Sequence, residues 1–291
     1  MTSREGRNRS RPASDREGVG ARPPLAVGLE TAKSPDRSRY LVPSLQSAVR
    51  ILQYLSQARH RESNLTQIAR DLGLNRSTAY RIVLTLQSAG MVEYDDTSRT
   101  YRLGPELAVL GARAITLNEF LRRAQEVVTQ VMELTRATTL LVQRIAFDKM
   151  AYVLKATPEA SLHITANVGQ VFPITAGSHG KVFLAYMDPE ERDTILAKTG
   201  YPAYTPYTIQ GRENLLAELE RVRQEGMAVS WQEHVLGVVG VAVPIFRTGT
   251  QRVAACLSVI ALSAAVSPDQ AREWGRAMQH IVRQELVVTP S

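Results

Sequence analysis

The stretch from Asn64 to Gly104, NLTQIARDLGLNRSTAYRIVLTLQSAGMVEYDDTSRTYRLG, leaves this chain few ways to fold locally. It orders two short helices, a tight turn and a β-hairpin. Asn64 or Thr66 is placed to cap the first helix by accepting a backbone N–H. Ile68, Ala69 and Leu72 form its apolar stripe, and Gly73 ends it in the left-handed conformation that a Cβ atom disfavours. Leu74 fills the space under the turn. Asn75 caps the second helix, whose inward side is Ala79, Ile82, Val83 and Leu86 at helical spacing. Gly90 closes that helix. Val92 and Tyr94 then alternate inward on one strand and Tyr101 and Leu103 on the next, joined by the turn residues Asp95 to Arg99. An amphipathic helical hairpin with a solvated face would share part of this pattern, but not the strands that follow it. The whole order is that of a winged helix-turn-helix.

The inward stripe of the second helix leaves Arg76, Ser77, Thr78, Tyr80, Arg81 and Thr85 on or beside its outer face. Guanidinium and hydroxyl groups suit phosphate oxygens and base edges, and a helix of this width fits the major groove. Arg99 at the hairpin tip completes the candidate DNA contacts. Charge is distributed accordingly. Of the net +7, residues 1–40 carry nine Lys/Arg against five Asp/Glu, and residues 41–104 carry eight against five. From 105 onward there are eighteen of each, so the whole excess lies where a phosphate-seeking module is expected.

Four runs within this stretch, I-A-x-x-L-G-L, R-S-T-A-Y-R, L-x-x-x-G and Y-R-L-G, stand in the order and spacing of the IclR family of bacterial transcriptional regulators, which this region resembles. Downstream, A-G-S-H-G-K-V-F-L-A, Arg223 to Ala228, Glu233 to Gly237, Val241 to Phe246 and Leu257-Ser258-Val259 extend the similarity to roughly residues 43–285. The resemblance implies a DNA-binding domain followed by an effector-binding domain akin to GAF and PAS sensors. It also implies a homodimer or homotetramer, with an interdomain helix taking part in dimer contacts.

Read independently of that resemblance, residues 1–39 form an Arg-, Ser- and Pro-rich basic tail expected to be disordered. Residues 40–104 form the winged domain, opened by a helix that Ser44 can cap and that turns Ala48, Ile51, Leu52 and Leu55 inward. A linker helix follows over 105–118, with Leu107, Leu110, Ala114 and Leu117 along one side. Residues 119–291 then mix helices and strands. The first helix buries Leu121, Ala124, Val128, Val131 and Leu134. Strands are expected at Leu140–Ile145, Met150–Lys155, Leu162–Ala166, Met227–Gln232, Val238–Phe246 and Val253–Ala261. Helices are expected at Val182–Met187, Pro189–Lys198, Glu213–Glu225 and Pro268–Leu286. Such mixing with hairpin-length connections gives an α+β fold around a mainly antiparallel sheet.

Catalysis finds little support. Gly180-Lys181 lacks both the glycine five residues earlier and the following Ser/Thr of a phosphate loop, and Ser178 lacks the G-x-S-x-G setting of an elbow nucleophile. The five histidines have no metal-ligand spacing, so neither metal nor cofactor is expected. The lone Cys256 lies in an apolar run and reads as a small buried hydrophobe. No apolar window approaches a membrane span and no secretory signal is visible, so a cytoplasmic location is expected.

The resemblance places an effector loop at Thr175 to Lys181 and a pocket lined by Ile164, Ser178, His179, Trp231, Gly240, Ser258 and Ile260, with Trp231 equally readable as a surface or core aromatic. Ser178, His179 and backbone N–H groups at a helix start would hold a carboxylate. Lys181 is either part of that loop or a solvated lysine. Three positions depart from the family's habit. Ser230 or Trp231 stands for a frequent acid, Gly240 for a cysteine or small polar residue, and Ile260 for a second serine. Glu233 is retained. An effector acid with an apolar or aromatic body, given room by Gly240, is the expectation. Two other readings remain at this point: a metabolite-processing enzyme with an accessory DNA-binding module, and a regulator whose second domain serves only oligomerisation.

Overall fold

The computed structural model describes residues 40–159, 164 and 166–286. The basic tail and most of the expected Leu162–Ala166 strand lie outside them, and Ile164 and Ala166 are not in a strand.

Helices α1 (Pro43–Leu55), α2 (Leu65–Leu72) and α3 (Arg76–Ser88) precede a hairpin of β1 (Val92–Asp95) and β2 (Thr100–Leu103). Their shared core is Ile51, Tyr54, Leu55, Ile68, Ile82, Val83, Leu86, Val92 and Tyr101. Asn64 makes a reciprocal cap with Gln67, each side chain accepting the other's backbone N–H. Asn75 accepts from the Thr78 N–H at 2.9 Å and so starts α3. Ser44 does not cap α1. Pro43 occupies the first turn instead, where its missing N–H costs nothing. Leu103 also departs from expectation. It pairs with Val92 in register but stays exposed, because the core ends at Tyr101. At the hairpin tip Asp95 accepts from the backbone of Thr97 and Ser98, and Arg99 takes a left-handed φ of 55°.

Helix α4 (Glu106–Leu117) has no buried residue. Val109, Leu110 and Leu117 are exposed, and Ile115 alone packs at the edge of a core cluster. Helix α5 (Glu119–Thr135) follows, capped by Asn118. It turns Thr135 rather than Leu134 inward, since i+4 from Val131 stays on the stripe and i+3 leaves it.

The remainder is one six-stranded antiparallel sheet in the order β5-β4-β3-β8-β7-β6. Its strands are β3 (Thr138–Ala146), β4 (Lys149–Ala156), β5 (Val171–Pro173), β6 (Ala228–Trp231), β7 (Val238–Phe246) and β8 (Val253–Leu262). Alternation along each strand feeds two cores. Leu141, Val241, Val243, Leu257 and Val259 face α5 and α9 (Pro268–Glu285). Leu140, Val142, Ala242, Cys256 and Ile260 face α6 (Gly177–Ala185), α7 (Pro189–Thr199) and α8 (Arg212–Glu225). Among the described residues no helix is long and apolar enough to cross a membrane.

Candidate functional site

Two regions gather the residues singled out by sequence. On α3, Arg76, Ser77, Tyr80, Arg81 and Thr85 are exposed and Thr78 is half-buried, while Arg99 is exposed at the wing tip. Thr78, Arg81 and Thr85 border a cleft of about 360 Å³ between α3 and α1, shared with Ser44, Leu45 and Ala48. The Ser77 hydroxyl bonds to the capping Asn75 and the Thr85 hydroxyl to the Arg81 carbonyl, which fixes both on the helix. Neighbouring arginines of this region are committed elsewhere: Arg70 to Asp71 and Arg102 to Glu93, each at 2.9 Å. Arg76, Arg81 and Arg99 have no acidic partner among the described residues. Leu84, half exposed at the centre of the outer face, escaped the sequence reading. Its methyl groups suit a thymine C5-methyl.

The second region lies under the sheet. The segment read as a loop before Val182 is already helix, because α6 begins at Gly177. Gly177 enters with φ +62°, and Gly180 lets the helix approach the Ile174 backbone so closely that a Cβ would collide with its carbonyl oxygen. Ser178 and His179 are therefore held on a buried helical turn.

The His179 Nδ1 lies 3.0 Å from the Ser258 Oγ, whose own hydroxyl donates to the Val241 carbonyl. With that proton spent, His179 must donate from Nδ1, which leaves Nε2 an acceptor. Burial, assisted by His234, lowers the His179 pKa to about 3, so the ring is neutral. Phe172 and Tyr152 meet it edge-on, at centroid distances of 5.3 and 5.8 Å. Burial also raises the Tyr152 hydroxyl to about 12. The Ser178 Oγ is buried and without a hydrogen-bond partner among the described residues. On the far side, His234 packs edge-on against Tyr204, which is tied to Thr175 at 2.7 Å.

Ser178, His179, Gly240, Ser258 and Ile260 thus converge on one face, with Ile164 at its margin. Trp231 does not join them. It packs on the opposite cluster, and Ser230, paired with Gly240, takes the inward place. Strand parity is the reason, since neighbours on a strand point to opposite faces. Gly240 does not open space for a ligand, because an added Cβ would sit 2.8 Å from the Ser178 Oγ, so the room is already taken by that hydroxyl. Sequence reading missed Tyr152, Phe172, Tyr204 and His234. Only Tyr152 carried a signal, standing two residues from the inward Met150 on one strand.

Lys181 is neither a solvated lysine nor part of a ligand loop. Its Nζ is buried and donates to Glu218 at 2.8 Å, Glu233 at 2.6 Å and the Val229 carbonyl at 2.9 Å. Burial lowers its pKa, opposed chiefly by the Glu233 carboxylate. Arg221 adds a second cation on Glu218. This cluster ties α6 to α8 and to the loop that carries His234.

The neutral histidine gives a prediction. His179 protonates in the folded state near pH 3, against 6.5 for its ordinary value, so stability is complete above 6.5 and is lost as pH falls toward 3. Between pH 7.5 and 5.5 it should cost about 1.4 kcal/mol. Urea melts of His179→Asn at the two pH values should show a pH dependence smaller by that amount. An identical dependence in both proteins would disprove the neutral assignment.

Comparison with known proteins identifies the family and the fold. The family model for the IclR helix-turn-helix domain matches residues 44–96, and that for the bacterial transcriptional regulator IclR C-terminal region matches 112–284. The chain is similar to the HTH-type transcriptional regulator KdgR of Dickeya chrysanthemi, at 31% identity over 87% of this chain and 80% of that one. It is similar in structure to an IclR transcriptional regulator from Alicyclobacillus acidocaldarius, with a TM-score of 0.80 and 36% identity, covering 84% of this chain and 98% of the other. It also resembles the inducer-binding domain of a PobR double mutant from Acinetobacter, solved as a 3-hydroxybenzoic acid complex. There the TM-score is 0.50 and the identity 27%, over 56% of this chain and 96% of that one. The chain belongs to the IclR family, and it is a DNA-binding transcriptional regulator rather than an enzyme.

Proposed function

We propose that operator binding by α3 and the wing is modulated by a hydroxylated aromatic acid held at Ser178 and His179. The observation that carries this reading is the buried, unpartnered Ser178 hydroxyl on the same buried helical turn as the neutral His179. A buried polar group without a partner costs stability, and a ligand group can supply the partner. Ser178 donates to the carboxylate. Sequence reasoning gave His179 the same task, but an acceptor nitrogen repels a carboxylate and accepts from a ligand O–H instead. Tyr152, Phe172 and Ile260 contact the ring. Binding that favours one arrangement of the domain over another shifts the DNA-binding equilibrium by linkage. The 3-hydroxybenzoic acid complex of the PobR domain supports the ligand class.

Calorimetry with 3-hydroxybenzoate, benzoate, glyoxylate and pyruvate tests this. The aromatic hydroxy acid should bind about tenfold or more tighter than either short acid, because its ring buries apolar area that they lack. Ser178→Ala should weaken it. Tighter binding of both short acids than of both aromatic ones would refute the assignment.

The same reading takes residues 40–104, 105–118 and 119–291 as DNA-binding, linking and effector-binding parts of a homo-oligomer. The exposed Val109, Leu110 and Leu117 of α4 support an interface there. Light scattering at micromolar concentration should give at least a dimer, and Leu110→Glu with Leu117→Glu should lower its mass. A monomer in both cases would contradict the proposal.

A further inference from the structure

We propose that a second ligand site, for a dianionic organic acid, lies at the opposite end of the β7–β8 hairpin from Gly240 and Ser258. A cavity of about 500 Å³ opens there between the hairpin turn, the end of α8 and the end of α9. That is within the range of small-molecule sites.

Its floor is apolar and fixed. Tyr186 meets Phe246 edge-on at 4.9 Å, and Pro244 lies beside them. Three guanidinium groups line it, from Arg223, Arg247 and Arg283. Arg223 is anchored by the Ala185 carbonyl and by Glu220 at 3.3 Å. Arg247 and Arg283 have no acidic partner among the described residues, although both stand on separate elements around one concavity. Glu225 lines the same space and Glu220 already answers Arg223, so Arg247 and Arg283 are the two guanidinium groups left without an acidic partner among the described residues. Each can take one carboxylate, which favours a ligand that carries two. The walls are held in place independently of any ligand. The Gln279 amide donates to the Glu225 carbonyl at 2.7 Å and joins α9 to the end of α8. Gly226 keeps that joint closed, since a Cβ would lie 2.6 Å from the same amide nitrogen.

Planar guanidinium groups recognise carboxylates through paired N–H donors. A ligand with two carboxylates on a short apolar or aromatic body fits arginines on the rim over an aromatic floor. The site is separate from the Ser178–His179 pocket. The register Gly240 with Ile260 and Pro244 with Cys256 sets the two apart along the same pair of strands.

Phthalate, a rigid aromatic dianion, and benzoate, its monoanionic counterpart, are the probes, used with the full chain in calorimetry. Phthalate should bind the unaltered protein and Ser178→Ala with equal affinity. It should bind Arg247→Gln with Arg283→Gln about tenfold or more weaker, because two charge-assisted contacts are lost. Both arginines are exposed, so the double variant should keep its circular dichroism spectrum. Benzoate affinity should be insensitive to the arginine changes. Failure of phthalate to bind the unaltered protein would overturn the proposal. So would equal binding to the double variant, or loss of binding on Ser178→Ala alone, which would assign phthalate to the other pocket. Neither outcome of the arginine test bears on the hydroxy-acid reading, which Ser178 reports.

Discussion

Replacing Arg76 and Arg81 together by Ala should strongly weaken specific operator binding while leaving the fold intact. Both guanidinium groups are exposed on α3 and unpaired among the described residues, so no internal contact is lost with them. A guanidinium that reaches a base edge contributes about 1–3 kcal/mol of specific binding, and one on a phosphate lowers the salt slope by about one. The pair should therefore weaken binding by about thirtyfold at the least, taking the lower figure for each. An anisotropy titration on a fragment upstream of the gene, repeated at two salt concentrations, checks both numbers. Arg70→Ala is the control. Arg70 is already paired with Asp71, and its removal should change affinity little.

The largest effect on stability should come from Lys181→Met. The change removes the cation shared by the buried Glu218 and the partly buried Glu233, leaving Glu218 with Arg221 alone and Glu233 with no cation among the described residues. Breaking a buried pair in this way costs about 3–5 kcal/mol, whereas replacing all its members by neutral groups is often nearly neutral. Urea denaturation should show that loss in Lys181→Met. Adding Glu218→Gln and Glu233→Gln to it should restore most of the stability. A single variant as stable as the parent at pH 7 would mean that the cluster is solvated in solution. Because the cluster also carries the loop of His234, Lys181→Met should weaken 3-hydroxybenzoate binding as well, and the triple variant should recover less binding than stability.

Local signals were legible where a single residue type settles the matter. Asn64 and Asn75 cap their helices, and the inward side of α3 follows from apolar spacing alone. The segment Thr175 to Lys181 misled because two glycines suggest a loop. One of them serves a close helix-to-backbone contact, and the turn between is helical. The strand β5 has three residues and offers no alternation to read. Thr138 and Thr139, polar yet buried, begin β3 two residues before its apolar run. Non-local pairing was the real limit. Trp231 and Ser230 are adjacent in sequence, and only the register with β7 decides which one faces Gly240. Likewise nothing near Lys181 in sequence announces Glu218, thirty-seven residues on, or Glu233, fifty-two residues on. The site's chemistry was therefore visible in its residue types, while its acceptor histidine and its ion cluster emerged from the fold.

The claim that α3 enters the major groove can be tested directly through the sulfur chemistry of the chain. Cys256 is its single cysteine and is fully buried, and burial pushes its thiol far above the usual range, so it resists labelling. A second cysteine made by Ser77→Cys on the exposed face of α3 can then carry an iron chelate that cleaves nearby DNA. Cleavage should fall on both strands within a single major-groove segment of each half-site. The same chelate on Ser98→Cys should cut at the groove's flank, where the wing lies. Equal, unlocalised cutting from Ser77→Cys, or none while Ser98→Cys still cuts, would contradict recognition by α3.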